Sequence, residues 1–300
     1  MSRPYFSIVI PTYNRAGYIT RTIESVLGQT FADLEVLVVD DGSRDNTTEV
    51  VGAITDSRLH YLPKENGERG AARNYGLRRA KGEYVLFLDS DDYWYPTRLA
   101  VLHAAIQAQP VPPNLLATKY DLERNGKLHV CNIDHIPAGH YGLDLIVEGN
   151  PVASNFCVRR TNPGLFLFEE DRCYAAVEDW MFILQNTQHD QLLLLDDVTL
   201  TMDDHEGRSM RADNEVLIQH LELAAGWMQE HLTLSPWQSR RLLGRVYYTC
   251  ALHAHLDGHW GRALGFTRQA LPGLTAPERL RLAVRVLTPP PLLDLARRLR

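Results

Sequence analysis

Apolar runs and helically spaced apolar positions alternate through the first 110 residues of the chain. Phe6-Ser7-Ile8-Val9-Ile10 reads as a buried strand, and Ile19, Ile23, Val26 and Leu27 then recur at the spacing of one helix face. Leu34 to Val39 predicts a second strand and Asn46 to Ala53 a second helix. Leu59 to Leu62 predicts a third strand, followed by a helix over Ala71 to Ala80 that Lys81-Gly82 closes. Tyr84 to Leu88 is the fourth apolar run, and Pro96 opens a helix that continues to Ala108. This order predicts an α/β fold with a mostly parallel sheet covered by helices on both faces.

The pattern is more mixed further on. Leu115 to Glu123 and Lys127 to Ile133 flank Arg124-Asn125-Gly126, and Asn-Gly is the favoured hairpin turn. Asn155 to Arg160 and Leu192 to Leu200 read as strands, and Glu178 to Asn186 as a helix. From Asn214 the spacing is helical, through Leu217, Leu221 and Ala224, then Leu242 to Leu256, then segments divided by Pro272, Pro277 and Pro289-Pro290-Pro291. The expected boundary lies near residue 212, with 213–300 a helical C-terminal extension.

Composition narrows the class. At 300 residues, 45% hydrophobic and 23% charged, the chain reads as a soluble globular protein. A net charge of −6 gives no sign of nucleic-acid binding. The charge is uneven, because residues 260–300 carry eight arginines against Glu278 and Asp294. Cys131, Cys157, Cys173 and Cys250 form no C-x-x-C pair, which suggests neither a disulfide framework nor zinc and fits a reducing cytoplasm. The run Phe6 to Ile10 is too short for a signal peptide, and no segment approaches the roughly 20 apolar residues of a membrane span.

Three of the predicted strands end in polar clusters: Pro11-Thr12-Tyr13-Asn14, Asp40-Asp41-Gly42-Ser43 and Asp89-Ser90-Asp91-Asp92. Each alone fits a turn. In a parallel sheet the three tips share one edge, which is where open α/β sheets bind ligands. Tyr13 could stack on a base and Asp41 could accept its imide N–H. The carboxylates of the third cluster repel one another unless a cation holds them, and Mg²⁺ or Mn²⁺ shared with substrate phosphates would do so. A solvated acidic turn before a helix is the plainer reading. Together the three tips suit a nucleotide.

Four stretches in order carry a resemblance: Phe6-Ser-Ile-Val-Ile-Pro-Thr-Tyr-Asn-Arg, Val38-Val-Asp-Asp-Gly-Ser, Gly70-Ala-Ala-Arg-Asn-Tyr-Gly and Phe87-Leu-Asp-Ser-Asp-Asp. They resemble the family 2 glycosyltransferases of the GT-A fold, from residue 5 to about 100. The resemblance implies a nucleotide-binding half over 1–110 and an acceptor-binding half over 111–212. Pro11, Thr12, Tyr13 and Asn14 would line the base pocket, and Asp41 would bind a uracil-type ring with Asp40 nearby. Asp89-Ser90-Asp91 would be the D-x-D element, with Asp91 the direct metal ligand and Asp89 nearer the ribose and metal. Asp92 would assist or cap the next helix. Arg73 and Asn74 would lie beside the donor, where a guanidinium suits diphosphate or a sugar hydroxyl; a helix-surface arginine packed on the sheet is the alternative.

Val177-Glu178-Asp179-Trp180 resembles the family's Glu-Asp motif. That likeness makes Asp179 the base for an inverting transfer and Glu178 a support for acceptor or sugar; acids at a helix N-terminus are the alternative. Asp203 to Met210 resembles a closing loop, in which His205 would add a metal or pyrophosphate ligand and Arg208 would neutralise phosphate. Met202-Asp203-Asp204 departs from the Tyr-Arg common there.

The expected function is transfer of a sugar from a nucleotide-diphosphate donor, UDP-type by resemblance, to a hydroxyl acceptor in surface polysaccharide or glycolipid synthesis. A non-catalytic nucleotide-sugar binder and a sugar nucleotidyltransferase are the rivals. The leucines and arginines after Trp260 suit either packing on the domain or contact with an anionic membrane.

Overall fold

The computed structural model describes residues 3–130, 133–205 and 213–288. Two compact units emerge, Met1–Leu143 with Pro151–Glu206, and Asp144–Asn150 with Gly207–Arg300.

In the first unit the strands are β1 (Phe6–Thr12), β2 (Leu34–Asp40), β3 (Leu59–Pro63), β4 (Tyr84–Phe87), β5 (Tyr93–Trp94), β6 (Leu115–Arg124), β7 (Lys127–Val130), β8 (Gly139–Tyr141), β9 (Phe156–Arg159) and β10 (Leu192–Asp203). The helices between them are α1 (Ile19–Leu27), α2 (Thr47–Gly52), α3 (Glu68–Arg79), α4 (Arg98–Gln107) and α6 (Glu178–Thr187), and α5 (Leu143–Ile146) has its first residue in this unit and the rest in the second. One sheet runs β3-β2-β1-β4-β9-β6-β10-β5. The first four strands are parallel, as the alternating pattern predicts. Beyond β4 the sheet turns mixed, because β9 runs antiparallel between β4 and β6 while β6 and β10 run parallel.

Every residue of β1 and β2 is buried, the signature of strands covered on both faces. Ile8 and Ile10 share one core cluster with Ile19 and Ile23 of α1. On α3, a Cβ at Gly76 would lie 2.4 Å from Val9 Cγ1, so this glycine lets the helix lie close on β1. Phe87, Phe156, Phe168 and Phe182 stack or meet edge to face, with Phe168 and Phe182 only 4.0 Å apart between ring centroids.

Asn125 and Gly126 both take positive φ (52° and 71°), as a tight hairpin demands, and β6 pairs antiparallel with β7. The strand expected to end at Leu200 continues to Asp203, with register shifts between Leu194 and Leu200. Arg98 sits fully buried beside this irregularity, donating to Thr118 Oγ1 and Thr199 Oγ1 at 2.7 Å each and to Asn155. Burial pulls its guanidinium down to about 9.

The second unit is helical: α7 (Asn214–His231), α8 (Pro236–Leu256), α9 (Trp260–Ala270) and α10 (Ala276–Leu287). Ser235 and Thr275 start α8 and α10 with capping boxes closed by Gln238 and Glu278, and each helix has a proline in its first turn. Arg241 of α8 ties the unit together, reaching Glu148 and holding Glu278 Oε2 at 2.6 Å.

Candidate active site

The tips of β1, β2 and β4 do converge, and the loop geometry around them is unusual. Five non-glycine residues have positive φ among the described residues: Asn14, Glu68, Asn125, Ala153 and Ala176. Asn125 belongs to the hairpin. The other four follow β1, open α3, precede Ser154 and precede Val177-Glu178-Asp179. Backbone held in this region is costly and gathers at functional sites.

At the first two tips, Asn14 locks the turn: its N–H donates to Ser43 Oγ (2.9 Å) and its Oδ1 accepts from Arg44 N (2.8 Å). Pro11 is buried in β1, Thr12 Oγ1 is buried without a hydrogen-bond partner, and Tyr13 is 43% exposed, available for stacking. Asp40 accepts from Ser43 N (2.7 Å) and from the Tyr61 hydroxyl (2.5 Å). Burial, with the Asp40 bond second, pushes that phenol up to about 12. Asp40 is therefore a turn anchor.

Asp41 is enclosed by donors. Its Oδ1 accepts from Lys64 Nζ (2.5 Å) and Gly67 N (2.9 Å), and its Oδ2 from Asn66 Nδ2 (3.0 Å) and Glu68 N (2.9 Å). The Gly67 and Glu68 backbone amides open α3, where negative charge is favoured. A base N–H must displace one of these donors to reach the carboxylate.

Two clusters form beyond this. In the first, the fully buried Arg73 donates to Glu178 Oε1 and to Asp89 Oδ1, both at 2.7 Å. Ser154 Oγ donates to Asp89 Oδ2 (3.0 Å), and Arg69 Nε lies 3.7 Å from Glu178 Oε1. Burial opposes ionisation of Asp89, yet Arg73 and then Arg69 outweigh it and hold the carboxyl at about 2. Asp179 moves the other way. Burial first, and the neighbouring Glu178 carboxylate second, push it up to about 7 despite Arg73. Its Oδ1 accepts from Trp180 N (2.7 Å). Two carboxylates around one guanidinium thus differ in proton affinity, a pattern typical of acid–base sites.

The second cluster is Asp91 with His205: Oδ2 and Nε2 lie 3.0 Å apart. Arg15 Nε stands 3.8 Å from the same oxygen, and the Tyr18 ring stacks on His205 at 4.7 Å.

The residues read from sequence divide accordingly. Asp91 and His205 meet. Asp89 faces Arg73 and Ser154, and Asp92 Oδ1 accepts the Asp203 N–H (3.0 Å), fastening the end of β10. Ser90 is buried, its carbonyl accepting from Thr22 Oγ1 (3.0 Å). No group of three His, Cys, Asp or Glu side chains able to hold a metal is gathered among the described residues. Arg73, expected against the donor, has Asp89 and Glu178 as partners. Asn74, expected beside it, is fully buried and pins the 168–170 segment through Phe168 N, Phe168 O and Glu170. Arg208 lies outside the described residues. Sequence reasoning did not single out Lys64, Arg69, Ser154 or Tyr18. Only Arg15, next to Tyr13-Asn14, carried a local signal.

A single sheet with a parallel N-terminal half, three polar tips and an acidic pair at the start of α6 has the GT-A fold. S. aureus TarS 1–349, solved with UDP-GlcNAc, superposes with a TM-score of 0.69 at 25% identity over 88% of this chain and 81% of that one. Mannosyltransferase PcManGT from Pyrobaculum calidifontis, solved with GDP-Man and Mn²⁺, shares the fold with a TM-score of 0.56 at 20% identity, over 94% of this chain and 79% of that one. Residues 7–131 match the model of glycosyl transferase family 2. Among curated relatives, an uncharacterized glycosyltransferase of Rickettsia felis is 45% identical over 97 residues, 32% of this chain and 16% of that protein. The Escherichia coli UDP-Glc:alpha-D-GlcNAc-diphosphoundecaprenol beta-1,3-glucosyltransferase WfaP is 45% identical over 96 residues, 31% of this chain and 38% of that one. The likeness thus spans well under half of either curated relative.

Proposed function

We propose that the chain is an inverting glycosyltransferase that moves a sugar from a UDP-type donor to a hydroxyl of a lipid-linked saccharide. The observation that carries this reading is the Asp179 carboxyl at about 7, near the acidic strand tip through Arg73. A base of that affinity is half ionised near neutral pH and accepts a hydroxyl proton efficiently. Asp179 takes the acceptor proton as the oxygen attacks the anomeric carbon, and the sugar–diphosphate bond breaks on the opposite side. Glu178 stays bonded to Arg73 beside Asp179.

Asp91 and His205 are the residues that would hold a divalent cation, Mn²⁺ or Mg²⁺. Their Oδ2 and Nε2 atoms lie 3.0 Å apart, and a carboxylate with an imidazole would suit such an ion. Bound there, such an ion would supply neutralisation of the leaving diphosphate. Arg15 stands at the same place and adds positive charge.

The UDP preference is supported by the UDP-GlcNAc complex of TarS, and the lipid-linked acceptor by the name of the E. coli relative. Thermal melts with UDP, GDP, TDP, CMP and ADP, each with Mn²⁺, Mg²⁺ or EDTA, test the reading. Stabilisation by UDP that requires metal is the expected result. No shift with any nucleotide overturns it.

A further inference from the structure

Helix α10 has two faces of opposite fate. Leu282 and Val286 are buried, 0% and 1% exposed. Leu280, Val284 and Leu287, on one stripe at i, i+4 and i+7, are 67%, 55% and 67% exposed. Arg279, Arg281 and Arg285 are exposed beside them. The helix's one acid, Glu278, is drawn inward to Arg241 and Arg245. Arg281 and Arg285 form no ion pair among the described residues, and neither does Arg268 on α9. Around it, Trp260, Leu264 and Leu271 are again exposed apolar side chains. No helix among the described residues is long and apolar enough to cross a membrane.

We infer that the outer face of α10 docks on an anionic lipid surface, with its aliphatic stripe among the acyl chains and its arginines at the headgroups. Charge decides between possible occupants. A second copy related by a twofold would set Arg281 and Arg285 against themselves. The chain's own residues 289–300 carry Arg297, Arg298 and Arg300 against Asp294, so they too are basic. An anionic bilayer complements both the arginines and the apolar ridge. The inference rests on the proposed function only in that a lipid-linked acceptor lies at such a surface.

Flotation of the full chain with phosphatidylcholine vesicles, with and without phosphatidylglycerol, tests it. The protein is expected to float only with the anionic vesicles and to be released by salt. Each arginine near such a surface contributes about 1 kcal/mol, or about fivefold in partitioning. Arg281→Gln with Arg285→Gln is therefore expected to lower partitioning by about 25-fold. Leu280→Ser, Val284→Ser and Leu287→Ser together should abolish flotation, while both variants keep the parent's melting transition and UDP response. Absence of flotation at low salt, or variants that float as the parent does, overturns the proposal. So does a parent that does not float but forms an oligomer which the serine variant breaks. Retained flotation with no nucleotide response supports the surface and removes the glycosyl-transfer reading alone.

Discussion

Arg73 and Glu178, 105 residues apart in the chain, meet through a 2.7 Å Nη1–Oε1 bond. Both are almost wholly buried, and the other end of the same guanidinium grips Asp89. The bond fixes the start of α6 against the tip of β4, so Asp89 and Glu178, the neighbour of the candidate base, share one anchor.

Removing that anchor leaves two carboxylates near each other in a buried setting. Arg73→Gln is expected to cost about 3–5 kcal/mol of folding stability, the usual penalty for breaking one side of a buried pair. Arg73→Lys keeps the charge but not the two-armed geometry, so it should fall between. Urea denaturation measures both, and a loss below about 1 kcal/mol for Arg73→Gln would show the cluster to be loosely held.

Asp179 must be ionised to accept a proton. Donor hydrolysis, with water as the acceptor, should therefore rise with pH and level off above a midpoint of about 7. Asp179→Asn should suppress turnover by about 100-fold or more while sparing UDP binding. A pH-independent rate between 5.5 and 8.5, or full turnover in the variant, would place the base elsewhere.

The same carboxyl affects stability with a definite sign. Its folded value of about 7 lies above the ordinary 3.8, so the native state binds the proton more tightly. Its contribution is present at low pH and is lost as pH rises from about 4 through about 7. Asp179→Asn should consequently gain melting temperature over the parent as pH goes from 5 to 8. Asp89, held at about 2, has the opposite sign and loses its contribution as pH falls from about 4 to 2. Parallel melts across this range give both slopes.

Asp91 and Asp92 are neighbours with separate partners, which makes them a discriminating pair. Asp91→Ala should erase the extra stabilisation that Mn²⁺ adds to UDP, about 2.7 kcal/mol for a ligand at a hundred times its dissociation constant. Asp92→Ala should instead lower the melting temperature by loosening Asp203 and leave the metal increment in place. Metal titrations of each variant with UDP present separate the two. Equal loss of the increment in both would return Asp92 to the metal site.

Much of this arrangement was legible in the sequence. The first four strands, their helices and the Asn125-Gly126 hairpin follow from local periodicity and turn chemistry. Local sequence was silent on β5, whose two residues are a strand only because Leu200 and Thr201 pair with them. It was silent on β8 for the same reason, since Gly139 to Tyr141 are recruited by Leu192 to Leu194. Site residues divide the same way. Asp91 and His205 are each visible as chemistry, but it is the resemblance, not local sequence, that sets both at one site. The resemblance sets Arg73 beside the donor, while its bonds to Asp89 and Glu178 span 16 and 105 positions, which local sequence does not show. Gly70 belongs to that motif for a packing reason: a Cβ there would stand 2.2 Å from the Glu169 carbonyl oxygen.

The Arg73 bridge also constrains how the protein can be recombined. A chimera joined near residue 110 takes the guanidinium from one parent and the acid that answers it from the other. C-terminal halves can be exchanged between relatives only as matched sets, in which an acid at position 178 arrives with an arginine at 73 already waiting. A library built on that pairing should yield folded hybrids, whereas one that shuffles the two positions independently would lose much of its diversity before any sugar is transferred.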